Sequence, residues 1–269
     1  WRLVVDGDLA RAPRVQPQSD GRWQATVDTG AMIEPAVTHR AVLWASGCAG
    51  PAQPFRVERR WTPLVDQADP ADDDHGPQGQ TAYPSDPSYA GQRAMDIRRV
   101  QVAGAGGALQ VDVTLADIST RWNPANGFDH LALTLFIELP RTEGGVRAMP
   151  LQDGDLPGAM RWHRRVRLHG WSNALFSADG ASATHEGTPV TPGASLQVDA
   201  AAKRLRLTLP AAALGNLRSL SGARLYLNTW DYDNGYRPLT PTPQPWAMGG
   251  GAPGTAPKVM DDVVVITLP

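Results

Sequence analysis

The stretch "MDIRRVQVAGAGGALQVDVTLADI", residues 95–118, decides the fold. Two strand-like runs meet at the glycine-rich step "AGAGG", and that combination reads as a β-hairpin. Similar signals recur on both sides of it. Downstream, "HLALTLFIEL" reads as a buried strand, and "MRWHRRVRLHGW" alternates Trp162, Arg164, Val166 and Leu168 with a β period. "ASLQVDAAAKRLRLTLP" reads as a second hairpin, "GARLYLNTWDY" and "KVMDDVVVITLP" as the last two strands, and "PAAALGNL" as one short helix. Upstream, "WRLVVDG", "GRWQATVDTG", "THRAVLWASG" and "PFRVERRW" are four more strand candidates ending near Trp61, with Trp23 and Trp44 expected in their core. Residues 62–92 show almost no periodic apolar pattern and are expected to be loop. The expected chain is all-β: an antiparallel β-sandwich over residues 62–269, preceded over residues 1–61 by a small β-sandwich or part of one.

Composition narrows the partners. The 269 residues are 42% hydrophobic and 19% charged with a net charge of −2, which is globular and implies neither a basic face for nucleic acid nor a polybasic membrane patch. No apolar run approaches the length that spans a bilayer. The chain starts at Trp1 without a Met, so an upstream segment is expected. The single cysteine, Cys48, can form no intrachain disulfide and is expected as a buried small hydrophobe. Nine Trp among 27 Gly and 24 Pro suggest exposed aromatic platforms on a turn-rich scaffold.

One loop concentrates negative charge. In "DPADDDHGPQGQTAYPSD", residues 69–86, four aspartates fall between Asp69 and Gly79. Calcium takes six to eight oxygen ligands, and Asp69, Asp72, Asp73 and Asp74 offer carboxylates densely while Gly76 and Gly79 let carbonyls turn inward. Crowded carboxylates are costly unless a cation neutralises them. The competing reading is an exposed acidic turn whose aspartates cap their own backbone. The spacing is not that of an EF-hand, and zinc is disfavoured because His75 stands without Cys. "WDYDNGYR", with Asp231, Asp233 and Asn234, is a second possible metal loop, an Asx turn around Gly235, or a sugar site.

The order of these segments resembles a known family. The loop "DPADDDHGPQGQTAYPSDPSY", then "MDIRRVQV", then "LADISTRWNPANGFDHLALTLFIELP", is similar to the C-terminal DOMON-like domain of glucodextranases and amylopullulanases. "MRWHRRVRLHGW", "TWDYDNGYRPL" and "WAMGGG" through "KVMDDVVV" continue the likeness, which covers about residues 62–269, while residues 1–61 resemble the small Ig-like or fibronectin-like β modules of large secreted polysaccharide-degrading enzymes. There are departures: Asp72 stands where the family has Gly, Thr81 where it has Tyr, and one residue is inserted near Gln78. The resemblance implies a jelly-roll β-sandwich akin to carbohydrate-binding modules, serving as a non-catalytic appendage of an α-glucan-processing glycoside hydrolase. It implies a secreted, periplasmic or cell-surface location and a covalently linked upstream catalytic domain. The expected ligands are an α-glucan polysaccharide or oligosaccharide and a calcium ion, the latter on Asp69, Asp72, Asp73, Asp74 and Asp96. The alternatives are a structural spacer or cell-surface attachment domain without sugar affinity, then a free-standing glycoside hydrolase or a haem-binding DOMON domain using Met95, Met160, Met248 or Met260.

Sugars stack their C–H faces on aromatic rings and hydrogen-bond to neighbouring polar groups, so aromatics on loops are better candidates than those on strands. Trp122, Trp230, Tyr232, Tyr236, Arg237, Trp246 and Tyr83 form the expected carbohydrate set, whereas Trp162 is expected in the core. No G-x-S-x-G, H-E-x-x-H, P-loop or dinucleotide motif occurs, and the sequence cannot place two hydrolytic carboxylates across a cleft. His163 and His169 are expected as exposed polar positions on one strand face. The expected role is binding without catalysis.

Overall fold

The structure is a computed structural model describing every residue except 31, 33–36 and 255. The chain divides into two compact units, Trp1–Arg60 and Trp61–Pro269.

In the first unit, His39–Ala45 is the hub of a small antiparallel sheet, pairing with Arg2–Val5, Cys48–Ala49 and Gln53–Phe55. "GRWQATVDTG" contributes only Trp23–Gln24, paired with Gln16–Pro17. These strands are two to seven residues long, and two expectations fail here. Trp23 is 66% exposed rather than core and lies against the exposed ring of Trp1, centroids 6.4 Å apart. Cys48 is exposed, because it flanks the tight turn at Ser46 and Gly47 instead of facing inward.

The second unit is all-β and built from two antiparallel sheets. The hairpin forms as expected: Ile97–Ala105 pairs with Ala108–Leu115 around Gly106, which takes φ +62°. Its neighbour Gly107 has no room for a side chain, since a Cβ would overlap the Leu217 carbonyl. This hairpin centres a five-stranded sheet in the order Ser195–Asp199, Arg204–Leu209, Ala108–Leu115, Ile97–Ala105, Thr62–Ala68. The last of these lies in a region expected to be loop. Its exposed edge position and the bulge between Pro63 and Val65 explain why its apolar pattern is weak.

The opposing sheet runs Thr188–Pro189, Ser172–Ser177, Arg164–His169, Ala132–Glu138, Arg224–Trp230, with Asp261–Asp262 and Ile266–Thr267 along the final edge. Inward residues of the two sheets, Val100, Val111 and Leu207 against Leu135, Val166 and Leu227, share one apolar core, as a β-sandwich requires. "PAAALGNL" forms a single 3-10 turn, Ala211–Leu214, stopped by Gly215 in the left-handed region. The two sheets differ on their outer sides. Loops cover the seven-stranded sheet, burying Phe136, Trp162 and Tyr226 in a second apolar cluster. The outer side of the five-stranded sheet carries polar residues.

Candidate functional site

Two places in the second unit concentrate chemistry. The first is the acidic loop, which the fold divides in two. Asp72, Asp74 and Asp96 meet arginines. Arg93 reaches all three, through Nη1 to Asp72 at 2.6 Å, through Nη2 to Asp74 and through Nε to Asp96 at 3.3 Å. Arg98 adds contacts to Asp72 at 3.1 Å and Asp96 at 2.9 Å. Asp74 also accepts a 2.6 Å hydrogen bond from the Tyr83 hydroxyl, which itself accepts from the Met95 N–H.

Asp69, Asp73 and Asp261 form the other half, with one carboxylate oxygen of each within 4.8 Å of the others. Burial and the neighbouring Asp73, Asp262 and Asp96 push Asp69 up to about 7. Burial, followed by the charges of Asp73 and Asp69, pushes Asp261 up to about 8 even though it accepts from the Ile97 N–H at 2.6 Å. Asp69 Oδ2 is buried without a hydrogen-bond partner. The chemistry of this set suits a hard divalent cation: three clustered carboxylates without sulfur or imidazole and, among the described residues, without an ion pair to Lys or Arg.

Local backbone explains how the loop reaches Asp261. Gly76 takes φ +71° and donates its N–H to the Met260 carbonyl at 2.7 Å. A Cβ there would strike the Val259 carbonyl at 2.9 Å, so only glycine lets the loop close on the final strand. Asp72 itself adopts the left-handed conformation, φ +66°, which Asp tolerates better than most residues. Its carboxylate turns to Arg93 and Arg98, away from Asp69 and Asp73. Pro77 and Gln78 form the middle of a turn closed by the Gly79 N–H on the Gly76 carbonyl.

The second place lies at one end of the seven-stranded sheet. Ala132 pairs with both His169 and Trp230, so the segments before Ala132, after His169 and after Trp230 emerge together. They bring Trp122, Trp171 and Trp246 into one cluster. Trp122 lies 6.3 Å from Trp171 with rings inclined by 27°, and 6.1 Å from Trp246. Trp171 and Trp246 are each 50% exposed. Trp122 backs them, resting on His130 with centroids 3.9 Å apart.

The support beneath is polar and rigid. Asp129 accepts from the Trp122 N–H at 2.6 Å and pairs with His130 at 2.5 Å. Burial alone would raise Asp129, but hydrogen bonds from Ser119, Trp122 and His130 hold it below its usual value. Asn126 ties "NPANG" to "HGW", its N–H to the Gly170 carbonyl at 2.8 Å and its amide to the His169 carbonyl at 2.7 Å. Gly170 allows this approach, since a Cβ would sit 2.5 Å from the Phe128 carbonyl. Arg237 is 5% exposed, paired to Asp231, and its guanidinium lies 5.2 Å from the Trp246 ring and 5.9 Å from that of Trp122. Asp231 also accepts from the Tyr89 hydroxyl. "WDYDNGYR" is therefore a turn whose cation is Arg237, with Asn234 at φ +52° and Gly235 at φ +154°.

Of the seven aromatic-site residues expected from sequence, the fold brings together Trp122, Trp246 and Arg237. Trp230 is wholly buried, its indole N–H donated to the Arg237 carbonyl, and presents no face to solvent. Tyr236 is buried against Thr134, and the Tyr83 hydroxyl is engaged with Asp74. Tyr232 stacks on His169 at 4.4 Å beneath the Arg167 guanidinium. His163 and His169 are buried, not exposed, because loops cover their sheet face. Burial, then Arg167, pushes His169 down to about 4. Met95, Met160, Met248 and Met260 are all packed in the apolar clusters. Sequence reasoning left out two residues. Trp171 was hidden by its place beside a strand, and Asp261 by lying 192 residues from Asp69, although "MDD" in the closing strand already showed paired carboxylates.

A family model described as the C-terminal, SLH-like binding module of glucodextranase matches residues 64–267. No curated protein matches the chain.

Proposed function

The chain belongs to this glucodextranase binding-module family, and from that membership we propose that it is a non-catalytic glucan-binding module of an extracytoplasmic glycoside hydrolase, stabilised by calcium. The observation that carries the reading is the cluster of Trp122, Trp171 and Trp246. Two half-exposed indoles on loops pinned from below give a preformed apolar face. Asp233, 66% exposed in its side chain and held by Arg237, supplies a hydrogen-bond acceptor beside it. Such an aromatic face with polar neighbours suits a sugar ring. The kinship with DOMON-like sandwiches, the link to an upstream catalytic domain and the secreted or periplasmic location belong to the same proposal.

Calcium would be held by Asp69, Asp73 and Asp261, with backbone carbonyls and water completing its shell. It would supply the positive charge that Arg93 and Arg98 supply to the other half of the loop. The SLH-like description of the family favours a second reading, attachment to a cell surface without affinity for soluble glucan.

Affinity electrophoresis through gels holding starch, pullulan or dextran separates the two. Retardation by at least one glucan, lost in Trp171→Ala and Trp246→Ala, is the expected result. Migration unchanged by all three overturns glucan binding and leaves the attachment reading.

A further inference from the structure

We propose a second glycan-binding site, independent of the loop-end tryptophans, on the outer side of the five-stranded sheet. Here lies a groove of about 460 Å³, walled by Trp61 at the edge strand and floored by Asp66, Gln101, Asp112, Arg204 and Arg206. This volume lies within the range of about 300–1,000 Å³ common for small-molecule sites.

Outward polar residues on a sheet face are ordinary, and three features set these apart. First, they form a register. Asp66, Gln101, Asp112, Arg206 and Gln197 are successive cross-strand partners, one hydrogen-bonding side chain per strand across all five strands. Neighbouring strands are ~4.8 Å apart, so the row is an evenly spaced ladder of donors and acceptors. Second, its middle is covered. The Asp112 side chain is only 10% exposed beneath Arg204 and Arg206, each 33% exposed, whereas Asp66 toward the edge strand is 49% exposed.

Third, the charges are already spent on each other. Arg206 grips Asp112 through two bonds of 2.7 and 2.6 Å, Arg204 faces Asp199 at 3.2 Å, and Arg99 holds Asp66 at 2.6 Å. Three arginines thus meet three aspartates. An anionic ligand finds no guanidinium without a carboxylate, and a purely apolar ligand would bury these pairs without replacing their water. The occupant that fits is neutral and rich in hydroxyls, laying one ring on Trp61 and hydrogen-bonding along the fixed Asp–Arg–Gln row. That is the chemistry of an uncharged oligosaccharide. Held rigid by bidentate pairing, the floor loses little side-chain freedom on binding.

The test is titration calorimetry of the full chain with maltotriose, isomaltotriose and cellotriose. Three variants accompany the wild type: Trp61→Ala, Gln101→Ala and Trp171→Ala/Trp246→Ala. Gln101→Ala removes one half-buried amide that donates to Asp66 at 3.1 Å and guards against a folding defect in Trp61→Ala, and melting curves check both. The expected result is two equivalents of at least one trisaccharide, with tenfold or greater weakening of one in Trp61→Ala and Gln101→Ala and of the other in the double variant. One equivalent unaffected by Trp61→Ala and Gln101→Ala overturns the groove and leaves the loop-end site standing. One equivalent lost only in the groove variants supports the groove and overturns the loop-end reading. No binding of any trisaccharide overturns both.

Discussion

Replacing Asp261 by Asn should change stability in opposite directions depending on calcium. In the metal-free chain Asp261 titrates near 8 and Asp69 near 7, against an ordinary carboxyl at 3.8. An acid raised by folding stabilises the native state below its unfolded value, and that stability is lost as pH rises through the folded value. Metal-free stability is therefore expected to fall between about pH 4 and pH 8. The rise from 3.8 to about 8 at Asp261 corresponds to ~5 kcal/mol at pH 8. Relaxation of the loop toward water relieves part of this, leaving ~3 kcal/mol. Asn is isosteric, keeps an oxygen to accept from the Ile97 N–H, and carries no charge. With EDTA at pH 8, Asp261→Asn should therefore melt higher than wild type by about 6–12 °C, taking ~2–4 °C per kcal/mol for a unit of this size. Calcium reverses the order. At 100 times its dissociation constant it should add ~2.7 kcal/mol to wild type and much less to a variant lacking one of three carboxylates. The assay is differential scanning fluorimetry at pH 5 and pH 8, with EDTA or calcium. Equal melting of wild type and Asp261→Asn in EDTA at pH 8, with neither responding to calcium, would refute both the charge argument and the metal assignment.

Three further outcomes follow from the loop end and the sheet beside it. Gly170→Ala places a methyl 2.5 Å from the Phe128 carbonyl; a loss of ~1–3 kcal/mol by chemical denaturation is expected, together with weakened glucan retardation as "NPANG" is displaced. Trp171→Ala and Trp246→Ala act on half-exposed rings, so each should weaken glucan binding about tenfold or more, ~1.4 kcal/mol, while shifting the melt by no more than about 2 °C. His169, held near 4 by burial and Arg167, stays neutral in the fold while the unfolded chain protonates near 6.5. Stability on its account is full above pH 6.5 and is lost as pH falls toward 4, by up to ~3 kcal/mol. His169→Gln should flatten that part of the acid denaturation profile, and an unchanged profile would show that His169 is not held neutral.

What the sequence disclosed and what it withheld divide along physical lines. Strands with one buried face or two showed themselves by period or by unbroken apolar runs, as in Ile97–Ala105, Ala132–Glu138 and Arg204–Leu209. Thr62–Ala68 did not, because an edge strand with a bulge has half its residues in solvent. Ser172–Ser177, "SNALFS", was missed because only its last three residues are buried. Charge density in the acidic loop was visible, but its partition was not. Arg93 lies 21 and 19 residues from Asp72 and Asp74, Arg98 lies 26 from Asp72, and Asp261, on a strand of the other sheet, meets Asp69 only in the folded chain. Burial of the aromatics was equally non-local. Trp230 and Trp246 both sit among turn residues, yet Trp230 ends a central strand and is sealed, while Trp246 caps Arg237 from outside.

The different fates of the two sheets bear on how a small module could hold a long chain. Loops bury part of the outer side of the seven-stranded sheet, and at the strand ends pinned turns hold Trp122 and Trp246 over Arg237, with Trp171 stacked beside Trp122. The outer side of the five-stranded sheet carries the Asp–Arg–Gln row in a groove shared with Leu64 and Ala103, with Trp61 at its edge. A polymer that engages both places makes its second contact intramolecularly, so modest affinities for short oligosaccharides would combine into much tighter retention on polysaccharide. Bivalence of that kind has a signature that one strong site cannot imitate. Trp61→Ala alone and Trp171→Ala/Trp246→Ala alone should each reduce polysaccharide retardation far more than trisaccharide affinity at the surviving site. Retardation that instead tracks the loop-end site alone, indifferent to Trp61, would reduce the sheet face to a solvated ion-pair lattice.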